Sequence, residues 1–525
     1  MMMRATPLCR CFSGWSVRMI SCLIPVILTV GCTTLPKELP EKVETFGLEP
    51  TKVGVLAEVT NAIGSQHGAE ASGFLILDSN EAALKWRLAL ADSAQRTLDA
   101  QYFIWYGDAS GLLLLNRVLE AADRGVRVRL LIDDLMMGGA DRIVAALCQH
   151  PNVEIRIFNP WDVRSGGGAV GRGVEFATHM KRLNHRMHNK LFVADNHMGI
   201  VGGRNIGDEY FGLSTHFNFL DLDLLAAGPV VAEVTGTFDY YWNSDWTYPG
   251  EGLKTGLPAD ALDEARKEIR DDLDKEANVL AAFPMQRKSW ESELAALPLE
   301  MHIGVGHVTV DNLPAGAGFP PVQVFETLSE FAEGVEQEIF VASAYFIPDN
   351  ESIDWVAEAT KRGVRVRVLT NSLASNDESV SNSGYKKVRR PVLEAGGELF
   401  ELREDLMMKA SVDTSPVKSE FVAFHTKALV VDRRKVFVGS LNLDPRSIYL
   451  NTEMGLLIDH RGLGEELVRI FEQLAEPENS WRVFLEQGEL QWQSSEGIVS
   501  RQPARSGWQR IEDSFYSLLP IKSQL

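Results

Sequence analysis

Cysteine is scarce where it could matter. The 525-residue chain holds 5 cysteines, and Cys9, Cys11, Cys22 and Cys32 all fall near its start. Only Cys148 lies beyond residue 32, so the body of the chain can form neither an internal disulfide nor a zinc site built from cysteine pairs. Positive charge is also short: 52 Lys and Arg against 72 Asp and Glu give a formal net charge of −20. Such a chain repels polyphosphate at long range, so no nucleic-acid partner is expected. A long apolar run is missing too, since Met19 to Val30 is too short to cross a bilayer comfortably. Nor is there a phosphate loop. Ala315-Gly316-Ala317-Gly318 has no following lysine and no buried strand before it, and reads as a flexible loop. What remains is ordinary for a globular protein, 45% hydrophobic and 24% charged, and long enough for two domains that each bury a core.

The N-terminus reads as a processing segment. Arg4, Arg10 and Arg18 precede the apolar run, which closes on Leu28-Thr29-Val30-Gly31-Cys32. This resembles a bacterial lipoprotein signal, although Thr29 stands where that signal usually carries leucine; the plainer alternative is a signal anchor with an incidental cysteine. Residues 1–31 would be removed and Cys32 acylated, leaving a formal charge of 49 − 72 = −23. The expected location is the bacterial cell envelope, lipid-anchored and facing the periplasm. Residues 32–75, with Pro36, Pro40 and no sustained period, read as a tether.

Against these absences stands one pattern that occurs twice. His188-Asn189-Lys190-Leu191-Phe192-Val193-Ala194-Asp195 and His425-Thr426-Lys427-Ala428-Leu429-Val430-Val431-Asp432 both read HxKxxxxD. Each continues into a small-residue turn and an asparagine, Gly202-Gly203-Arg204-Asn205 and Gly439-Ser440-Leu441-Asn442. Histidines (425 − 188) and asparagines (442 − 205) are both 237 residues apart. The flanks repeat as well. A helix from Asn80, a strand Leu98–Trp105, a helix Leu112–Asp123 and a strand Val126–Ile132 are predicted in the first half. In the second, a helix Phe325–Gly334 and a strand Ile339–Ile347 lead to Lys361-Arg362-Gly363-Val364-Arg365-Val366-Arg367, matching Asp123-Arg124-Gly125-Val126-Arg127-Val128-Arg129. Tyr345-Phe346-Ile347 echoes Tyr102-Phe103-Ile104. The expected fold is α/β: two tandem pseudo-symmetric domains, each a mixed sheet flanked by helices, sharing one site. The first spans 76–300 with a charged helical insertion at Pro258–Phe283, the second spans 301–490, and a tail follows at 491–525. The apolar side of Trp508–Leu525 suggests a docking helix ahead of a membrane-surface one.

On a strand, His188 and Lys190 leave the same face, as do His425 and Lys427, while Leu191, Val193, Ala428 and Val430 point inward. The turns would add Asn205 and Asn442, with backbone N–H groups near Gly203 and Ser440, to cradle a phosphate between the halves. Two imidazoles, two ammoniums and two amides suit phosphodiester exchange. One histidine attacks phosphorus, the other moves the proton, and the cations stabilise the non-bridging oxygens without metal or cofactor. Each histidine also needs a carboxylate on Nδ1 to set its tautomer, and Asp221 and Glu453 occupy matching strand positions for that role. Asp195 and Asp432 complete the motif as candidates, on the opposite face, where they are expected to brace the turn. His179, His185, His197 and His216 have no counterparts and read as surface or supporting residues. Trp105, Phe158, Met136 and Met137 are read as either an acyl-chain groove or ordinary core.

With its G-[GS]-x-N tails, the doubled motif resembles the phospholipase D superfamily. The stretches Arg182-Leu183-Asn184-His185-Arg186-Met187-His188, Val201-Gly202-Gly203-Arg204-Asn205-Ile206-Gly207-Asp208 and Asn442-Leu443-Asp444-Pro445-Arg446-Ser447 are closer still to bacterial cardiolipin synthases of type C. The similarity runs from about Ile76 to the C-terminus. It implies phospholipid substrates, a phosphatidyl group passed from phosphatidylethanolamine or phosphatidylglycerol to a phosphatidylglycerol hydroxyl, and His188 as nucleophile with His425 as acid and base. The lipoprotein signal is a departure, because many cardiolipin synthases carry transmembrane helices instead. Hydrolysis to phosphatidic acid is the alternative, a nuclease of the same superfamily is disfavoured by charge, and a non-catalytic scaffold would have let one motif decay.

Overall fold

The computed structural model describes residues 35–36, 42–164, 168–314, 322–377 and 379–516. The signal segment, Cys32, the Ala315–Gly318 loop and the end of the tail lie outside them.

Local signals set the helices, and the same signals recur in both halves. Ser79 caps the helix Asn80–Ser93 by accepting from the Ala82 N–H at 3.1 Å. Asp108 caps Ala109–Asp123 through Gly111 at 3.0 Å, and Asp349 caps Asn350–Lys361 through Ser352 at 2.8 Å. Just past the last two helices stand Gly125 and Gly363, at φ 93° and 89°, where a side chain would be strained. There the chain turns directly into the next strand.

The first half supplies β1 (Ser72–Leu77), β2 (Thr97–Tyr102), β3 (Arg127–Asp133), β4 (Val153–Phe158) and β5 (Leu191–Ala194). It continues with β6 (Met198–Gly202), β7 (Phe217–Leu220), β8 (Asp223–Ala227), β9 (Thr247–Pro249) and β10 (His302–Gly304). The second half begins with β11 (Gly306–Val310), β12 (Glu338–Ser343), β13 (Arg365–Asn371), β14 (Glu398–Leu402) and β15 (Phe421–Phe424). It ends with β16 (Lys427–Val431), β17 (Lys435–Gly439), β18 (Met454–Asp459), β19 (Ser480–Glu486), β20 (Glu489–Ser494) and β21 (Gly497–Val499). Among the described residues one sheet runs β10-β1-β8-β6-β5-β2-β3-β4-β9 and the other β11-β18-β17-β16-β12-β13-β14-β19-β20-β21. From β1 to β9 and from β11 to β19 the two orders coincide. Each sheet is mixed: the parallel trio β2-β3-β4, or β12-β13-β14, continues into the antiparallel hairpin β5-β6, or β16-β17.

The two sheets meet face to face. Leu191, Val193 and Leu224 of the first and Ala428, Val430 and Leu456 of the second share one buried cluster, while separate clusters line the outer, helix-covered faces. The chain crosses at Val305, since β10 pairs with β1 and β11 with β18. Gly306 is required at this crossing: a Cβ there would come within 2.6 Å of the Phe74 ring. A short parallel ribbon, β7 with β15, also ties one half to the other.

Several expectations are corrected. The segment read as a tether packs from residue 42 onward: Arg129 donates to the Thr45 carbonyl at 2.8 Å, and the helix Val55–His67 buries Leu56, Val59 and Ile63 in the first core. Its apolar stripe is too short to stand out against the charges and prolines before it. The second sheet runs past residue 490 into β20 and β21. In the tail the helix Gly507–Tyr516 does dock, but through Gln509 and Asp513, which are buried, while Trp508, Ile511 and Phe515 face outward. Finally, Tyr345-Phe346-Ile347 is not the counterpart of Tyr102-Phe103-Ile104. The Asp195 N–H donates to Thr97 O and the Asp432 N–H to Glu338 O, giving an offset of 338 − 97 = 241 that sets Trp105 against Phe346. The echo reflects the common liking of strand ends for aromatic and branched residues.

Candidate active site

The two histidines were expected on strands, yet each stands just before one. β5 begins at Leu191 and β16 at Lys427, so His188 and His425 lie on extended lead-ins at the edge where β2 and β12 end. The same-side geometry survives: the Lys190 ammonium donates back to the His188 carbonyl at 2.5 Å, and that of Lys427 to the His425 carbonyl.

Each lead-in is stitched to the other half. The His188 N–H donates to Thr452 O at 2.9 Å, and the His425 N–H to Leu220 O at 2.9 Å. Thr452 precedes Glu453 and Leu220 precedes Asp221, so the stitching delivers a carboxylate to each ring from across the interface. His188 Nδ1 lies 2.8 Å from Glu453 Oε2, and His425 Nδ1 lies 2.6 Å from Asp221 Oδ2. Both carboxylates therefore belong to the opposite half from the histidine they hold. Nδ1 being engaged, Nε2 is the ring atom left to face a substrate.

All six groups are buried and share one field. Burial is the main reason both imidazoles sit well below their usual pKa; Lys190 and Lys427 push His188 further down, and Lys427, Lys190 and His188 do so for His425. Burial likewise brings Lys190 down to about 7, against the pull of Glu453, and lowers Lys427 against Asp221. Burial also raises Glu453 to about 8 and lifts Asp221, against the pull of Lys190 and Lys427 on both. The site is poised to accept an anion between two ammoniums.

A family model described as "Cardiolipin synthase, PLD-like domain" matches residues 88–242 and 330–475, one segment per half. The chain belongs to this family. Cardiolipin synthase C of Escherichia coli strain K12 is 33% identical over 488 residues, covering 89% of this chain and 99% of that protein. Cardiolipin synthase 1 of Bacillus anthracis is 23% identical over 419 residues, covering 79% and 69%. The crystal structure of phosphatidylserine synthase from Haemophilus influenzae Rd KW20 shares the fold, with a TM-score of 0.56 at 15% identity, over 89% of this chain and 100% of that one.

Not every candidate residue of this PLD-like chain reaches the site. Asp195 and Asp432 are at the far ends of β5 and β16 from the histidines. Asp195, at φ 53°, accepts from the N–H groups of Gln95, Arg96 and Thr97; Asp432, at φ 50°, accepts from Glu336, Gln337 and Glu338. They brace turns and do not reach the site. The N–H groups of Gly203 and Ser440, expected to face phosphate, donate instead to Leu222 O and Met454 O, continuing the sheet ladders. What those turns provide is room and support for the carboxylates: a Cβ on Gly203 would lie 2.3 Å from Asp221 Oδ1, and Ser440 Oγ donates to Glu453. Asn205 is buried, accepting from the Ile104 N–H at 3.2 Å and donating to Tyr210 Oη at 2.9 Å, while Asn442 Oδ1 is buried with no partner among the described residues.

Sequence reasoning missed the rings around the histidines. Phe103 stands edge-on to His188 at 5.1 Å, and Tyr210 and Phe219 flank His425 at 5.3 and 4.7 Å. Phe219, two residues before Asp221 on an alternating strand, could have been found; Tyr210 carries no such signal. Ala344 takes the place of Phe103 in the second half, so the two imidazoles have unequal surroundings. Trp105, Phe158 and Met137 pack into the body of the protein rather than a groove, and Met136 is exposed. His185 Nδ1 approaches Leu450 O at 2.8 Å, His197 lies against Thr51 and Thr60, and His179 and His216 are exposed. No group of His, Cys, Asp and Glu suited to a metal ion occurs among the described residues, and no described helix is long and apolar enough to cross a membrane.

Proposed function

We propose that this chain is a phosphatidyltransferase that forms cardiolipin from phosphatidylglycerol and a second phospholipid, phosphatidylethanolamine or phosphatidylglycerol, through a phosphohistidine. The observation that carries the reading is the crossed pairing of His188 with Glu453 and His425 with Asp221, which puts two oriented imidazoles and two lysines in one buried field. In this scheme His188, its Nδ1–H held by Glu453, attacks the phosphodiester phosphorus through Nε2. The bond from phosphorus to the head-group oxygen breaks, and His425, protonated once the phosphodiester anion offsets the two lysines, gives its Nε2 proton to the departing alcohol. A phosphatidylglycerol hydroxyl then attacks the phosphorus, its proton passes to His425, and the P–N bond to His188 breaks. Lys190 and Lys427 stabilise the charge on the non-bridging oxygens. Acylation at Cys32 and a place on the periplasmic side of the bacterial envelope belong to the same reading.

The test is the purified protein with phosphatidylglycerol alone and then with phosphatidylethanolamine added, following cardiolipin against phosphatidic acid. Cardiolipin supports transfer. Phosphatidic acid without cardiolipin means that water wins as acceptor and the protein is a hydrolase, and neither product removes the proposal.

A further inference from the structure

Two helices beside the site are inside out. The helix Gly168–Leu183 is anchored by its polar residues: Glu175 accepts from the N–H groups of Asp162 and Val163 at 2.7 and 2.9 Å, and Arg182 donates to Asn159 Oδ1 at 2.8 Å. Its apolar residues Val174 and Met180 face outward, 60% and 46% exposed, and Phe176, stacked on Trp161 at 6.2 Å, keeps one part of its ring outside. The helix Gly507–Tyr516 repeats this. Gln509 donates to Leu373 O at 2.6 Å, and Asp513 binds Asn382 at 2.6 Å and Lys386 at 3.0 Å. Trp508, Ile511 and Phe515, spaced i, i+3, i+7, form an outward stripe, with Trp508 73% and Phe515 59% exposed. Large apolar side chains held away from the core by polar anchors mark a surface meant to be covered.

Both helices lie on the edge that carries the histidines. β2, β3 and β4 are parallel and end where β5 begins, since Gln101 pairs with Leu191. The first helix follows β4 and leads within five residues to His188, and exposed Met136 follows β3. In the second half, Asn371 at the end of β13 exchanges hydrogen bonds of 2.8 and 2.9 Å with Phe424, the residue before His425. Gln509 grips the chain two residues beyond Asn371, and exposed Met407 follows β14. The apolar residues thus rim the mouth of the site from both halves.

We infer that this rim, the outward faces of Gly168–Leu183 and Gly507–Tyr516, is the surface that seats the protein on a phospholipid bilayer, with the histidines over the lipid phosphates. The inference rests on the phosphatidyl-transfer reading above. Two observations select a bilayer over a second copy of the chain. A protein lying across both helices would close the mouth to a phosphodiester, whereas a bilayer supplies one. The first helix also exposes Lys181 and His179, and its only carboxylate, Glu175, is buried. That outward face of the first helix, basic on a chain of net charge −20, suits a phosphate surface and not another such chain.

The experiment uses the full chain with vesicles of phosphatidylethanolamine and phosphatidylglycerol that carry a photoactivatable diazirine in the acyl chain, with adducts mapped by mass spectrometry. Adducts should concentrate at Val174, Phe176, Met180, Trp508, Ile511 and Phe515. Val174→Ser should lower labelling of the first helix, and Phe515→Ser that of the second, by about tenfold, with unchanged thermal melting. Adducts confined to other surfaces overturn the inference, as does a dimer in solution that these substitutions dissociate. Labelling maps position whether or not a lipid is made. Adducts on the rim without product count against the transfer reading alone, and product with adducts elsewhere counts against the rim alone.

Discussion

In the proposed mechanism His188 and His425 carry the chemistry, and their surroundings say how each is to be tested. Both rings, though buried, stand on extended lead-ins outside the sheets, so truncation removes chemistry with little loss of apolar packing. His188→Ala and His425→Ala are each expected to abolish turnover while circular dichroism and melting stay near wild type; turnover retained in either removes the two-histidine scheme. Lys190 gives a pH dependence with a definite sign. Burial brings its ammonium down to about 7 from the usual 10.5, so it is partly neutral at neutral pH, and a bound phosphodiester anion favours the charged form. Binding of a phosphodiester analogue should therefore take up protons above about pH 7 and weaken as pH rises through that value. Calorimetry in buffers of different ionisation enthalpy measures the uptake, which Lys190→Gln should reduce; proton release would contradict the assignment. Because two ammoniums supply the positive charge, turnover should also survive EDTA, and restoration of lost activity by an added divalent ion would count heavily against the mechanism.

At the scale of the element, the hairpins β5-β6 and β16-β17 hold their two ends in different ways. At one end Asp195 and Asp432 gather three backbone N–H groups apiece; at the other the turns at Gly203 and Ser440 fit the carboxylates. Gly203→Ala should force Asp221 off His425, because the new Cβ would stand 2.3 Å from its oxygen. A displacement of that size should cost about a hundredfold in kcat with little change in KM. Ser440→Ala takes a hydroxyl from Glu453 and from the Met454 N–H but pushes nothing out of place, and should cost far less in kcat; equal losses in the two variants would undo this account. Much of this was legible beforehand: the motif, the pairing of Asp221 with Glu453 as equivalents, and the bracing role of the two aspartates follow from spacing and alternation. The engagement of the Gly203 and Ser440 N–H groups was not, because a sheet ladder is made with a strand that sequence reading cannot register.

For the whole molecule, the site exists only while the two sheets keep their relative position. Both imidazole–carboxylate pairs of the site span the interface, and the cluster between the sheets holds the halves together. Phe74, fully buried there and in contact with the crossing at Gly306, is a direct probe. Phe74→Ala should cost about 3–5 kcal/mol in stability. It should also lower kcat at temperatures well below the new Tm, measured by denaturant unfolding and steady-state rates. A variant that loses stability but keeps full kcat would show that the interface tolerates the cavity without moving the rings.

The doubled motif, the α/β repeat and the acidic balance are properties of residue order, and they determined the family and the types of group the site contains. Spacing along the chain carries this, because periodicity and short motifs are local. Which carboxylate meets which histidine is not local: Glu453 and Asp221 reach their rings only because the β7–β15 ribbon and the shared core fold one half against the other. The outward apolar faces of the two rim helices were likewise decided by packing, since an amphipathic stripe in sequence does not say which of its sides the rest of the protein will take.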